Sequence, residues 1–241
     1  MPRFYLAQPL AVGQTVELPP EVAHHVHVLR LAPGDALTLF NGEGGEYTAV
    51  LAGVQKRQAS AEVKTFSPRD SELPFALTLA QALPEGTKMD WIIEKAVELG
   101  VAGLQPLAAQ RCVVRLSAER AEKKLEHWRG IAVSAAEQSG RNRLLQLAEP
   151  ARFGEWIAQQ DLHRRIILSP RASESLGSWA RHQPPQALAI MVGPEGGFSA
   201  EEEAEALRHG ALPLAMGPRI LRTETAGLAA AAMLAALWGE G

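Results

Sequence analysis

Over the first seventy residues, short apolar runs alternate with turn signals. Pro19-Pro20, Pro33-Gly34-Asp35, Asn41-Gly42 and Gly44-Gly45 punctuate segments such as 36–40 and 46–51, which read as strands joined by tight turns. The pattern predicts a small β-barrel domain over residues 1–70. The polar stretch 67–74 carries Pro68 and Pro74 and reads as a linker. From residue 74 onward the pattern changes. Residues 75–83, 101–107, 165–169, 187–192 and 212–216 are apolar runs of strand length. Between them, 88–99 places Trp91, Ile92, Ala96 and Leu99 at helical spacing, with Gly100 just past the end. Ser117 opens a long helix that Gly140 can close, and a last helix follows from about Glu224. Ser199 and Glu202 form an S-x-x-E capping box. This alternation over residues 74–241 predicts an α/β domain, a parallel sheet with helices on both faces.

The 241 residues are 46% hydrophobic and 21% charged, a balance that supports a buried core rather than disorder. The single cysteine, Cys112, excludes an internal disulfide framework and a cysteine-rich zinc site. It fits a reducing, cytoplasmic setting. The first ten residues contain no uninterrupted apolar core of a secretory signal. The longest apolar run, 226–238, is too short to span a bilayer, so no membrane attachment is expected. Apolar nearly all round, it reads as a helix buried in a core or a subunit interface.

The net charge of −3 runs against nucleic-acid binding but conceals a basic stretch. Between Arg111 and Arg143, eight Lys or Arg stand against four Glu and no Asp. Glu and Lys alternate over 119–126, as on a solvated helix face. Arg111, Arg115, Arg141 and Arg143 lie outside that helical pattern and are better placed for phosphate contact.

Two segments carry candidate chemistry. Val192-Gly-Pro-Glu-Gly-Gly-Phe198 follows a predicted strand and precedes the capped helix at Ser199. Its glycines would let backbone approach a ligand closely, at the strand end where ligands of open parallel sheets bind. Read alone, it is equally a tight turn, and it is neither a dinucleotide nor a P-loop signature. Met216-Gly-Pro-Arg-Ile-Leu-Arg-Thr-Glu-Thr-Ala226 also leaves a strand and enters a helix. Two arginines, two threonines and a glutamate in so short a connection need partners if buried. A ligand could supply them, or the segment is a helix N-cap with solvated arginines.

Together these segments closely resemble the RsmE family of ribosomal RNA uridine-N3 methyltransferases. Three further blocks match in family order: His25-Val-His-Val-Leu-Arg-Leu31 with Gly34-Asp35, Asp90-Trp-Ile-Ile-Glu-Lys-Ala-Val-Glu-Leu-Gly-Val101, and Ala136-Glu-Gln-Ser-Gly-Arg141. A departure occurs at 109–114, where Gln110 and Cys112 replace the family's Glu and Ser. The resemblance implies a C-terminal SPOUT-type domain with a trefoil knot, an N-terminal PUA-like barrel that binds RNA, and a homodimer. It implies S-adenosylmethionine as cofactor and 16S ribosomal RNA, free or in the small subunit, as partner.

Carried onto this chain, the resemblance implies cofactor contacts from Leu168 and from Val192, Gly193, Glu195, Gly196 and Gly197 of the first loop. The second loop would contribute Met216, Gly217, Ile220, Leu221 and Arg222, and the helix after it Thr223, Thr225 and Ala226. RNA contacts would come from Arg3, Arg30, Arg111, Arg115, Arg141 and Arg143. Uracil N3 must lose a proton to become nucleophilic, and charge then spreads to O2 and O4. An arginine aimed at a carbonyl would stabilise it. Arg222 is the first choice for that role and Arg30 the second. Glu224 or Glu195 could take the proton, and either could equally be a backbone-capping carboxylate.

His24, His25 and His27 suggest a metal at first sight. On a strand, adjacent histidines point to opposite faces, so no metal site is expected. Nothing local activates Cys112. Two rival readings remain: a ribose 2′-O-methyltransferase of the same superfamily, and a non-catalytic RNA-binding or assembly factor. The second would carry a damaged glycine loop, whereas residues 193–197 and 219–226 are intact.

Overall fold

The computed structural model describes residues 1–114, 117–159 and 163–239. The chain divides into two compact units. One comprises Met1–Glu72 with Ala136–Leu144, the other Leu73–Ala135 with Leu145–Gly241.

The first unit contains β1 (Arg3–Tyr5), β2 (Thr15–Leu18), α1 (Pro20–Val28), β3 (Ala36–Phe40), β4 (Glu46–Val54) and β5 (Ala59–Ser67). The strands form one sheet in the order β1-β3-β4-β5-β2, antiparallel throughout except for the parallel pair β1 and β3. Alternation decides which face is covered: Ala59, Ala61 and Val63 of β5 are buried while the residues between them are not. They join Phe4, Leu37, Leu39 and Leu51 in one core.

Here the structure corrects the strand reading of the histidines. They lie on α1, which Pro20 opens at N1 and which buries Val22, Ala23 and Val26 at helical spacing. Pro19-Pro20 acts as a helix opener rather than a turn, because the fixed φ of proline suits a first helical position. His24, His25 and His27 are all exposed, and no group of three metal-ligating side chains occurs among the described residues.

The chain returns to this unit at 136–144, a placement that the sequence pattern did not indicate. Glu137 Oε1 accepts from the Tyr5 N–H (2.9 Å), Asn142 Oδ1 accepts from Arg3, and Arg141 pairs with Glu72. Burial pushes the Glu137 carboxyl up, against that hydrogen bond and the nearby positive charge of Arg3.

The second unit runs through β6 (Leu77–Ala82), α2 (Lys88–Glu98), β7 (Gly103–Ala108), α3 (Ala118–Ser139), β8 (Gln146–Leu147) and β9 (Ala151–Arg152). It continues with α4 (Phe153–Ile157), β10 (Arg164–Leu168), α5 (Leu176–Arg181), β11 (Leu188–Val192), α6 (Ala200–Arg208), β12 (Leu212–Leu214) and α7 (Thr223–Trp238). The last four residues of α3 belong to the first unit. Every strand pair is parallel, in the order β12-β10-β11-β6-β7-β8, with β9 also on β7. All five residues of β11 are buried, as in a sheet covered on both faces.

The capping box forms as the sequence indicates. Ser199 Oγ accepts from the Glu202 N–H, and Glu202 Oε2 accepts from the Ser199 N–H. Helix α7 buries a stripe of Thr223, Gly227, Ala230, Ala231, Leu234 and Trp238. Gly227 keeps the helix close to the sheet: a Cβ there would stand a tight 3.2 Å from Val192 Cγ2. Ala232, Ala236 and Leu237 face outward, so burial of this helix within its own unit is one-sided. Among the described residues no helix is long and apolar enough to cross a membrane.

Candidate functional site

Strand β6 lies between β11 and β7, so the connections after β6 and β11 leave the sheet at a point where the strand order reverses. Such switch points open a crevice beyond the carboxyl ends of the strands. A cavity of about 460 Å³ occupies it. One wall is the loop after β11, with Val192, Gly193, Glu195 and Gly197. The other is the segment from Met216 to Arg222 and the first turn of α7. Leu168, Ser169 and Pro170 lie at the end of β10, and Lys88 opens α2.

Most of the residues expected at a cofactor site line this cavity. Gly196 and Thr225 do not, while Lys88, Ser169, Pro170, Pro194 and Arg219 do. Lys88 escaped notice because it reads only as the start of an amphipathic helix. The available signal was its position just beyond the end of a strand.

The glycines of the first loop differ in purpose. A Cβ on Gly193 would meet the Phe198 backbone N at 2.9 Å and the Gly197 Cα at 3.0 Å, so no side chain fits. Gly197 has φ +67° and open space where a Cβ would stand, and Gly217 has φ +96°. These conformations favour glycine. Gly196 has neither constraint: its Cβ would make an ordinary contact with Arg111 Cδ at 3.4 Å. Within this loop, Gly193 and Gly197, and not Gly196, are the positions whose surroundings or backbone favour glycine.

Two ion pairs line the cavity. Lys88 Nζ is 2.5 Å from Glu195 Oε1, which also accepts from the Glu85 N–H. Burial would raise the Glu195 carboxyl. The Lys88 hydrogen bond and the backbone N–H groups outweigh it and hold the group below the usual range. The second pair is looser. Arg222 Nη1 stands 3.9 Å from Glu224 Oε1, with the arginine side chain 84% exposed and the glutamate 19%. Glu224 Oε2 is buried and has no hydrogen-bond partner.

The arginines singled out for RNA separate by environment. Arg141 is only 4% exposed, and its Nε and Nη2 both engage Glu72, so it is not presented to a phosphate. This corrects the expectation from spacing alone. Arg3 is mostly buried against Glu46, Asn142 and the ring of Phe40. Arg111 is exposed but donates from Nη1 to Gly196 O (2.8 Å), tying its turn to the glycine loop. The Gln110 N–H donates to Glu202 Oε1 on the same side, a contact that uses only backbone at the position where the family motif has Glu. Arg143 pairs with Asp70 yet remains 51% exposed. Arg30 is exposed, with a left-handed backbone at φ +57°. Arg115 lies outside the described residues.

Cys112 is half-buried, and its burial pushes the thiol up, away from a reactive thiolate.

Known proteins resemble the chain over both units. A family model described as an RNA methyltransferase domain matches residues 71–235, and one described as an RNA methyltransferase PUA domain matches residues 18–64. Ribosomal RNA small subunit methyltransferase E of Bacillus subtilis is 35% identical over 86% of this chain and 84% of its own. The crystal structure of the protein of that name from Neisseria gonorrhoeae, bound to S-adenosyl methionine, superposes with a TM-score of 0.93. It is 41% identical, with coverage of 100% of this chain and 99% of that one. A methyltransferase of Legionella pneumophila in complex with SAM gives 0.93 and 38% identity, covering 99% and 98%.

Proposed function

The chain belongs to the ribosomal RNA small subunit methyltransferase E family, and from that premise we infer that it methylates N3 of a uridine in 16S ribosomal RNA with S-adenosylmethionine. The observation that carries the site assignment is the pair of loops around one cavity. Gly197 leaves open space at its Cα, and the buried Glu224 Oε2 has no partner. Glycine backbone and apolar side chains around a cavity of this size suit a nucleoside-sized ligand. The two loops and Leu168 would hold it. S-adenosylmethionine, when bound, supplies an activated methyl group on a sulfonium sulfur.

The protein's own residues have two tasks. They position the uracil for in-line attack, and they manage its proton and charge. We assign Glu224 as the proton acceptor at N3, because Oε2 has no competing donor. Glu195 is the poorer candidate: Lys88 occupies it and weakens its basicity. Arg222, exposed at the rim of the cavity, would donate to O2 or O4 as negative charge develops there.

We assign residues 1–70, with 136–144 of the same unit, as the RNA-binding domain and the rest of 74–241 as the catalytic domain. Arg30 and Arg143 are the better placed of the expected RNA contacts. A homodimer through the outward face of α7 and a cytoplasmic location complete the reading. The direct test is incubation of 16S ribosomal RNA with protein and cofactor, followed by nucleoside mass spectrometry. N3-methyluridine is expected. A ribose-methylated nucleoside would indicate the 2′-O reaction, and no cofactor binding by calorimetry would indicate a non-catalytic RNA-binding factor.

A further inference from the structure

Gln81, at the end of β6, is fully buried, yet no sequence motif marks it and it does not line the cavity. Its Nε2 donates to Ala82 O (2.9 Å) and to Thr223 Oγ1 (2.9 Å). The carbonyl of Ala82 can only accept, so the amide orientation is fixed with the NH₂ on this side. Thr223 Oγ1 therefore accepts from Gln81, and its own proton goes to Gly193 O at 2.6 Å. A directional chain of hydrogen bonds thus runs from the sheet to the second loop and on to the first. Thr223 and Gly193 belong to opposite walls of the cavity.

Gln81 Oε1 is buried without a partner. An unsatisfied buried amide oxygen is unfavourable, and an apolar side chain of the same length would avoid it. Fold stability alone does not account for glutamine here. We propose that Gln81 is a positioning residue of the methyltransferase site: it fixes the Thr223 hydroxyl as donor to Gly193 and so sets the separation of the two loops that receive the cofactor. This rests on the assignment of the cavity to S-adenosylmethionine.

The experiment compares wild type, Gln81→Met, Thr223→Val and Thr223→Ser. It measures thermal unfolding, S-adenosylmethionine affinity by calorimetry, and RNA affinity at fixed salt. For Gln81→Met the melting temperature is expected to hold or rise while cofactor affinity falls about three- to tenfold, the effect of one hydrogen bond. RNA affinity is expected to stay unchanged. Thr223→Val should reproduce that loss and Thr223→Ser should restore near-normal affinity. The double variant Gln81→Met with Thr223→Val should be little worse than either alone, because both break one chain.

Unchanged cofactor affinity in folded Gln81→Met would overturn the proposal. So would a fall in melting temperature without a fall in affinity, which marks a purely structural role. If Gln81→Met does not fold, the threonine pair decides, and equal affinities for Thr223→Val and Thr223→Ser overturn the idea. Failure of wild type to bind the cofactor would instead overturn the site assignment, and this proposal with it.

Discussion

Lys88 Nζ and Glu195 Oε1 meet at 2.5 Å across the cavity, joining the start of α2 to the glycine loop after β11. The pair is about one-third exposed, so solvent screens it and its contribution to stability is small. Its value is positional, and its pH window follows from both partners. Glu195 is held below its ordinary value of 4.5, so its contribution is present above that value and is lost as pH falls through the lowered one. Lys88 is raised above 10.5, chiefly by the Glu195 hydrogen bond, so its contribution persists below that value and is lost above the raised one. Cofactor affinity should therefore be flat in this pair's contribution from about pH 5 to 10. Glu195→Gln should lower it at neutral pH, and calorimetry from pH 5.5 to 9 checks both. A dependence of wild-type affinity on pH that Glu195→Gln abolishes within this range would contradict the assignment.

The glycines of one loop should respond differently to the same substitution. Gly193→Ala forces a Cβ to within 2.9–3.0 Å of backbone and should weaken cofactor binding by about tenfold or more, the cost of local strain. Gly196→Ala should change it by less than about twofold, since the added methyl makes only ordinary contact. Calorimetry on both variants, with unfolding curves as control, separates them. Equal effects would mean that the loop acts only as a turn.

Arg141 and Arg143, two residues apart, should fail in different assays. Arg141→Ala leaves the half-buried Glu72 without its guanidinium partner and should cost about 1–3 kcal/mol of stability. Arg143→Ala should leave unfolding nearly unchanged. It should weaken RNA binding and lower the salt slope of log K by about one phosphate contact. Thermal melts and filter binding at several salt concentrations report the two effects. A normal salt slope for Arg143→Ala would remove it from the RNA surface.

The outward face of α7 presents Ala232, Ala236 and Leu237, while the opposite stripe is buried within the unit. A dimer through this face predicts that Ala236→Arg gives a monomer in light scattering at micromolar concentration. A wild-type protein that is a stable, active monomer under those conditions would contradict it.

Local rules made part of this molecule readable in advance. Ser199 and Glu202 are three residues apart and satisfy each other, so the cap of α6 was visible in four letters. The fully apolar run of β11 announced a doubly covered strand. Residues whose meaning depends on distant partners were not readable. Arg141 looks like a free cation until Glu72, 69 residues away in sequence, is placed beside it. Gln81 gains its role only from Thr223, at a separation of 142 residues. The histidines of α1 were misplaced because Pro19-Pro20 signals both turn and helix start, and burial of Val22, Ala23 and Val26 decides between them.

The most direct test of the catalytic assignment is single-turnover methyl transfer to 16S ribosomal RNA at saturating cofactor, with the product identified by mass spectrometry. Wild type is predicted to form N3-methyluridine. Arg222→Ala is predicted to slow the step by roughly 10²–10³, as loss of one charge-stabilising donor does. Glu224→Gln is predicted to slow it while cofactor affinity is kept within a few-fold. Wild-type rates in both variants, or methylation at any atom other than uridine N3, would contradict it.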